Sequence, residues 1–267
     1  MSEVYTVESG RSAHGGRFFI GGNRRIQIWG QSNAIGRADI SDLSAVPLAS
    51  DAGLAERVAD FTGVGFSRVF IWDTASSAYQ PLRAANNGCA DGQFGVEFPL
   101  AVRWMRETTS GNLYLHKEGS SGVSISPQFT PNQWPWTDFR NRHTQGAAAA
   151  QAEDSAWVWI QGEADMSQSQ EWYQPLLQAL LDGNAAVGIT GAATLRLLMQ
   201  MAVGSAQYGP GVASAKAAIA AASPSNTRAP SMPLSMKSDN LHQNGRGIMQ
   251  AGYDIFSAVF SAPRFEV

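Results

Sequence analysis

Four short blocks of this sequence carry residues that can do chemistry. The first is Gly30-Gln31-Ser32-Asn33, which follows an apolar β-type run. A serine placed directly after a strand, with glycine behind it and small residues ahead, projects its hydroxyl from a tight turn at a helix N-terminus. There its own N–H can serve an oxyanion. An isolated match of this kind is more commonly a turn with serine as N-cap. The second block, Ser238-Asp239-Asn240-Leu241-His242, lies at the other end of the chain and leads into the last helix. An aspartate and a histidine three residues apart at the lip of a helix point to the same side. The carboxylate can then hold the imidazole tautomer while the other ring nitrogen faces a nucleophile. Alone, such a pair is a capped turn beside a surface histidine; with Ser32 it completes a Ser, Asp and His set in that order.

The third block is Gln161-Gly162-Glu163-Ala164-Asp165, after the apolar run Trp157-Val158-Trp159-Ile160. A glutamine amide donates to an oxyanion without changing charge, and Glu163 with Asp165 is also a candidate carboxylate pair for glycoside hydrolysis. The fourth spans residues 91–98, where Gly95 could offer a backbone N–H to a closely approaching substrate or simply start a helix. Other chemistry finds little support. The four histidines (His14, His116, His143, His242) lack metal-ligand spacing, and the glycine pairs Gly15-Gly16 and Gly21-Gly22 lack the Lys-Ser/Thr of a phosphate loop. Cys89 sits in a turn-like NNGCADG with no histidine nearby in sequence.

These blocks need strands and helices to bring them together. Short β-type runs at 25–29, 68–72, 112–116, 156–161 and 195–203 alternate with helical stretches at 98–108, 145–153, 170–181, 211–222 and 245–260. That alternation predicts a parallel sheet with crossover helices, whose C-terminal strand ends line the ligand crevice. The last helix is the best patterned, with Ile248, Met249, Tyr253, Ile255, Phe256, Val259 and Phe260 at three- and four-residue intervals. Two connections, 33–67 and 119–140, exceed about 15 residues and so are expected to be functional or to carry small elements. The second contains Trp134 and Trp136, which read either as a sugar-stacking rim or as rings packed on the sheet.

Composition narrows the partners. Of 267 residues, 19 are Lys or Arg and 22 Asp or Glu, giving a net charge of −3, and no basic cluster exceeds the pair Arg24-Arg25. Nucleic acid is therefore not an expected partner. No apolar stretch approaches the roughly 20 residues needed to span a bilayer, and no secretory signal is visible, so the expectation is a soluble protein without a membrane partner. One cysteine excludes an internal disulfide. Residues 1–22, rich in Gly, Ser and Arg, read as an arm or adaptor preceding a domain over 23–267. A cellular protein, a leaderless secreted one, or part of a larger assembly such as a phage tail protein would each fit. Charged residues make up only 15%, below the roughly 25% of an average protein, so the chain is neither disordered nor polyelectrolyte-like.

In order and spacing, GQSN after the first strand, Gly95-Val96-Glu97 before a helix, QGEAD after a Trp-rich strand and DNLH before the last helix resemble the sialate O-acetylesterase-like carbohydrate esterases. These are a branch of the SGNH hydrolase superfamily, and the resemblance spans residues 24–260. It implies a three-layer α/β/α sandwich with a central parallel sheet, flavodoxin-like in plan, that removes acetyl groups from sugars or polysaccharides with no metal or cofactor. It also implies Ser32 as nucleophile, His242 as general base and Asp239 as its orienting acid. The oxyanion hole would comprise the Ser32 N–H, the Gly95 N–H and the Gln161 side chain. Gln31, Asn33, Glu97, Ser120, Ser121, Glu163, Trp134 and Trp136 are candidates for substrate contact or support. The run His116-Lys117-Glu118-Gly119-Ser120-Ser121 departs from relatives that carry a more apolar run and a Gly-Gly pair. Two rivals remain: a general α/β-hydrolase, since Gly30 to Ala34 nearly matches GxSxG, and a carbohydrate-binding or adaptor module that has kept the fold without the chemistry.

Overall fold

A computed structural model of the chain describes residues 22–45 and 53–260. The arm expected over 1–22 lies, apart from Gly22, outside them. The central strand is β1 (Arg24–Gly30), whose alternating side chains feed both layers. Ile26 and Ile28 enter one apolar core, while Trp29 enters the other. Its neighbours are β6 (Leu113–Gly119) on one side and β7 (Glu153–Ile160) on the other, both parallel to it. In β7, Ala156, Val158 and Ile160 face the first core and Trp157 and Trp159 the second, as a strand buried on both faces must.

Beyond β7 come β8 (Leu195–Met199) and β9 (Thr227–Arg228), and beyond β6 come β3 (Val69–Asp73) and an antiparallel edge strand β4 (Ala78–Pro81). The sheet order is β4-β3-β6-β1-β7-β8-β9. The five strands from β6 to the β9 edge, β6-β1-β7-β8-β9, follow the 2-1-3-4-5 order of doubly wound flavodoxin-like sheets, so the switch point falls between β1 and β7. One face is covered by α3 (Leu54–Thr62), α4 (Glu97–Glu107) and α8 (Gly245–Phe260), and the other by α5 (Trp136–Ala150), α6 (Gln170–Ala186) and α7 (Pro210–Ala222). This is the α/β/α sandwich expected.

Several boundaries move. The predicted helix at 145–153 is α5, which begins nine residues earlier because Trp136 and Phe139 anchor it to the sheet, and Glu153 already opens β7. The run predicted at 195–203 leaves the ladder after Met199, holding on only through a bridge from Gln200 to Ser231. Connection 33–67 carries elements of its own: α1 (Ser32–Ile35), β2 (Ala38–Asp39), α2 (Asp42–Ala45) and α3. β2 pairs with β5 (Gln93–Phe94) in a small separate sheet. Among the described residues no helix is long and apolar enough to cross a membrane.

Candidate active site

The turn that carries Ser32 is set by Gly30. Its φ is +148°, and a Cβ there would sit 1.9 Å from the Ile160 carbonyl oxygen, so only glycine lets β1 run this close to β7. The Gln31 N–H then donates to that same carbonyl at 2.9 Å, and Ser32 becomes the first residue of α1. At that position its N–H has no intrahelical acceptor. The other half of the site comes from the loop before α8. Asp239 Oδ1 accepts the N–H groups of Leu241 (2.9 Å) and His242 (3.0 Å), folding the loop back on itself. Asp239 Oδ2 lies 2.8 Å from His242 Nδ1, and His242 Nε2 lies 3.0 Å from Ser32 Oγ. The serine, histidine and aspartate singled out in the sequence are therefore joined in one hydrogen-bonded chain. Partial burial pulls the Asp239 carboxyl upward, but the His242 N–H, the His242 ring and the Leu241 N–H outweigh it and hold it at about 2. It stays ionised at neutral pH and keeps the imidazole Nδ1 as a donor.

Asn33 ties the two halves together. Its Nδ2 donates to Glu163 Oε1 (2.8 Å) and to the Leu241 carbonyl (3.3 Å), and its Oδ1 accepts the Gln243 N–H (3.2 Å). Gln31 does the same toward β7: its Oε1 accepts the N–H groups of Gly162 (3.1 Å) and Glu163 (3.2 Å). Those donors fix which end of the amide is oxygen, so the Gln31 NH₂ is the end left for the cleft that Gln31 lines. Glu163 is buried, and burial raises its carboxyl above the ordinary range against the pull of Asn33. The cleft has a volume of about 580 Å³, and Ser32, His242, Asp239, Gln31 and Glu163 share its wall.

Four expectations need correction. The Gly95 N–H already donates to Glu97 Oε1 at 2.7 Å, and a Cβ on Gly95 would strike the Glu97 carboxylate, so this glycine serves a buried turn and not the cleft. Glu97 itself is fully buried and pairs with Lys117 Nζ at 2.9 Å. The Gln161 amide is turned inward: its Nε2 donates to Asp165 Oδ2 (2.6 Å) and its Oε1 accepts from the Tyr173 hydroxyl (2.5 Å). The aromatic rim does not form. Trp136 is 1% exposed and donates to Asn184, Trp134 is 62% exposed beside Asp138, and neither lines the cleft. Ser120 is held by its backbone to Gly30, whereas Ser121 does reach the cleft. Asp165 is taken up by Ser124, Ile125 and Gln161, which leaves no free carboxylate pair for glycoside hydrolysis.

Residues 26–261 match the family described as carbohydrate esterase, sialic acid-specific acetylesterase. The chain belongs to that family. As a member of it, the protein is a carbohydrate esterase of the acetylesterase kind. No curated protein sequence matches it. Three solved structures share its fold. A protein from Arabidopsis thaliana is 19% identical, with a TM-score of 0.69 over 90% of this chain and 99% of its own. NanS is 11% identical, with a TM-score of 0.57 over 89% and 98%. A carbohydrate acetylesterase from Xanthomonas citri is 15% identical, with a TM-score of 0.54 over 90% of this chain and 56% of that one. At these identities the likeness is one of fold.

In this acetylesterase the sequence reading missed Arg37, Gln93, Gln207 and Lys237, all on the cleft wall. Arg37, Gln207 and Lys237 sit in connections and Gln93 in the two-residue strand β5, too short for any periodicity to mark it. It also missed Lys216, a lone charge inside the alanine-rich helix α7. Lys216 is fully buried, its Nζ donates to the Gln161 and Met199 carbonyls at the ends of β7 and β8, and burial brings its pKa down to about 8. That isolated lysine was the one legible signal among the five.

Proposed function

We propose that this esterase removes O-acetyl groups from sugars by a two-step acyl transfer through Ser32. The observation that carries the reading is the continuous chain from Asp239 through His242 to Ser32 Oγ on the cleft wall. His242 Nε2 takes the Ser32 proton as Oγ attacks the acetyl carbonyl carbon, and the ionised Asp239 stabilises the imidazolium that forms. The tetrahedral oxyanion is received by the Ser32 N–H at the start of α1 and by the Gln31 NH₂, in place of the donors first expected from Gly95 and Gln161. His242 then returns its proton to the sugar alkoxide, which leaves. Water, deprotonated by the same imidazole, hydrolyses the acetyl-serine and regenerates the enzyme.

The complete, hydrogen-bonded triad favours this over a module that has lost the chemistry. The position of the nucleophile after the central first strand favours it over a general α/β-hydrolase. The test is Ser32→Ala together with fluorophosphonate labelling. The wild type is expected to label at Ser32 and to release acetate from p-nitrophenyl acetate and acetylated sugars, and the variant to do neither while keeping its far-UV circular dichroism. A folded Ser32→Ala protein that retains most of its activity refutes the assignment.

A further inference from the structure

Ser32 opens α1, which is a single turn closed by the Gly36 N–H on the Ser32 carbonyl at 2.9 Å. One turn fixes too many dihedrals for the bonds it makes to hold itself, so its place must be set from outside. At its front, the Gln31 N–H donates to the Ile160 carbonyl of β7. At its back, the Ile35 carbonyl has no acceptor role inside the turn, and β6 answers it from the other side of β1. Lys117 stands opposite Ile28 in that ladder, with a side chain only 2% exposed. Its Nζ donates to the Ile35 carbonyl at 2.6 Å, to Glu97 Oε2 at 2.9 Å and to Cys89 Sγ at 3.2 Å. Those three bonds use all three ammonium protons. Burial pulls the Lys117 pKa down, but the sulfur and the carboxylate beside it outweigh that pull and hold it above the ordinary lysine value. The packing around Ile35 leaves no slack: a Cβ on Gly119 would stand 2.4 Å from Ile35 Cγ1, and one on Gly36 2.5 Å from Gly95 Cα.

We propose that Lys117 is a positioning residue for the acyl transfer: it clamps the last carbonyl of α1 and thereby sets where Ser32 Oγ stands relative to His242 Nε2. That role rests on the esterase reading above and adds a residue to it. Lys117 lines a separate cavity of about 460 Å³ with Ile35, Cys89 and Gly119, and does not line the catalytic cleft. It therefore acts on the reaction through α1 and not by touching the sugar. Glu97, at the start of α4, is the counter-charge that keeps the ammonium in place. The serine turn is thus pinned at both ends by the two strands that flank β1, by a backbone carbonyl of β7 in front and a side-chain ammonium of β6 behind.

A buried ion pair can also serve stability alone, and two variants separate the roles. Lys117→Met removes the clamp and strands the Glu97 carboxylate, so it should lose stability as well as rate. Lys117→Met combined with Glu97→Gln removes both charges and keeps an oxygen for the Gly95 N–H, which should return most of the stability. Thermal melting and p-nitrophenyl acetate kinetics are compared, each protein being assayed well below its own midpoint. The double variant is expected to melt close to wild type and still lose about 100-fold in kcat, the scale of a misplacement of about 1 Å. Its KM should stay within about threefold, because the cleft wall is untouched. If the double variant does not fold, the single Lys117→Met is read by the same split between kcat and KM. A kcat within about threefold of wild type, or a loss carried by KM alone, overturns the inference and leaves the esterase reading standing. A wild type that neither labels at Ser32 with a fluorophosphonate nor releases acetate overturns the esterase reading itself.

Discussion

Replacing Asn33 with alanine tests whether the two halves of the site are held together as described. The side chain is almost fully buried and makes three hydrogen bonds, to the Glu163 carboxyl, the Leu241 carbonyl and the Gln243 N–H. A bond to a charged group is worth about 1.5–3 kcal/mol and each backbone bond about 1 kcal/mol, and because the three share one side chain they do not add in full. The expected loss is about 3 kcal/mol of unfolding free energy. The loss should also depend on pH. Burial raises the Glu163 carboxyl above its unfolded value, so stability falls as pH rises from the ordinary carboxyl range through the folded value. Asn33 opposes that shift, so without it the window widens and the deficit is larger at about pH 8 than at about pH 5. Freed from Asn33, the loop carrying His242 need move only about 1 Å from Ser32 to cost about 100-fold in kcat. Urea unfolding followed by tryptophan fluorescence, together with p-nitrophenyl acetate kinetics, reads both effects. A variant within about 0.5 kcal/mol of wild type and within threefold in kcat would refute the role given to Asn33.

Gln31→Ala should lower kcat by about 100- to 1000-fold if its NH₂ receives the oxyanion. Gln161→Ala, which strands the Tyr173 hydroxyl and Asp165, should act first on stability, and the reverse ranking in steady-state kinetics would restore Gln161 as the donor. Lys216 loses its proton at about 8 in the folded protein and at about 10.5 unfolded, so the unfolded chain binds more protons between these values and stability rises with pH there. In Lys216→Met this rise should vanish, a difference of up to about 3 kcal/mol between pH 8 and 10.5 in paired denaturation curves. Parallel slopes for the two proteins would show that Lys216 is not buried as a titrating group.

The layers of this fold were legible because β7 announces itself with AWVWI, apolar on both faces, β1 sets Ile26 and Ile28 on one face in RIQIW, and α8 has an unbroken apolar stripe. The hydrogen-bonded set Ser32, His242 and Asp239 was legible because its residues come as two local blocks. Which amides line the cleft was not legible. Whether Gln31 or Gln161 faces the cleft depends on which amide finds acceptors and donors elsewhere, and the Tyr173 hydroxyl that draws Gln161 inward lies on α6, on the far side of β7. Gly95 likewise reads as a donor until the carboxylate two residues on takes its N–H. Trp136 was ambiguous because an indole looks the same in sequence whether it stacks on a sugar or, as here, donates to a buried asparagine.

Ser32 and His242 meet across 210 residues of chain. On a ribosome adding about 5–20 residues per second, the turn that carries Ser32 is made roughly 10–40 s before His242. Under the proposed mechanism the serine has no base throughout that interval. Under that mechanism activity waits for α8 to pack on α4 and for its preceding loop to bond Asn33 in α1. The appearance of esterase activity in a synchronised translation reaction should therefore serve as a clock for the last step of folding.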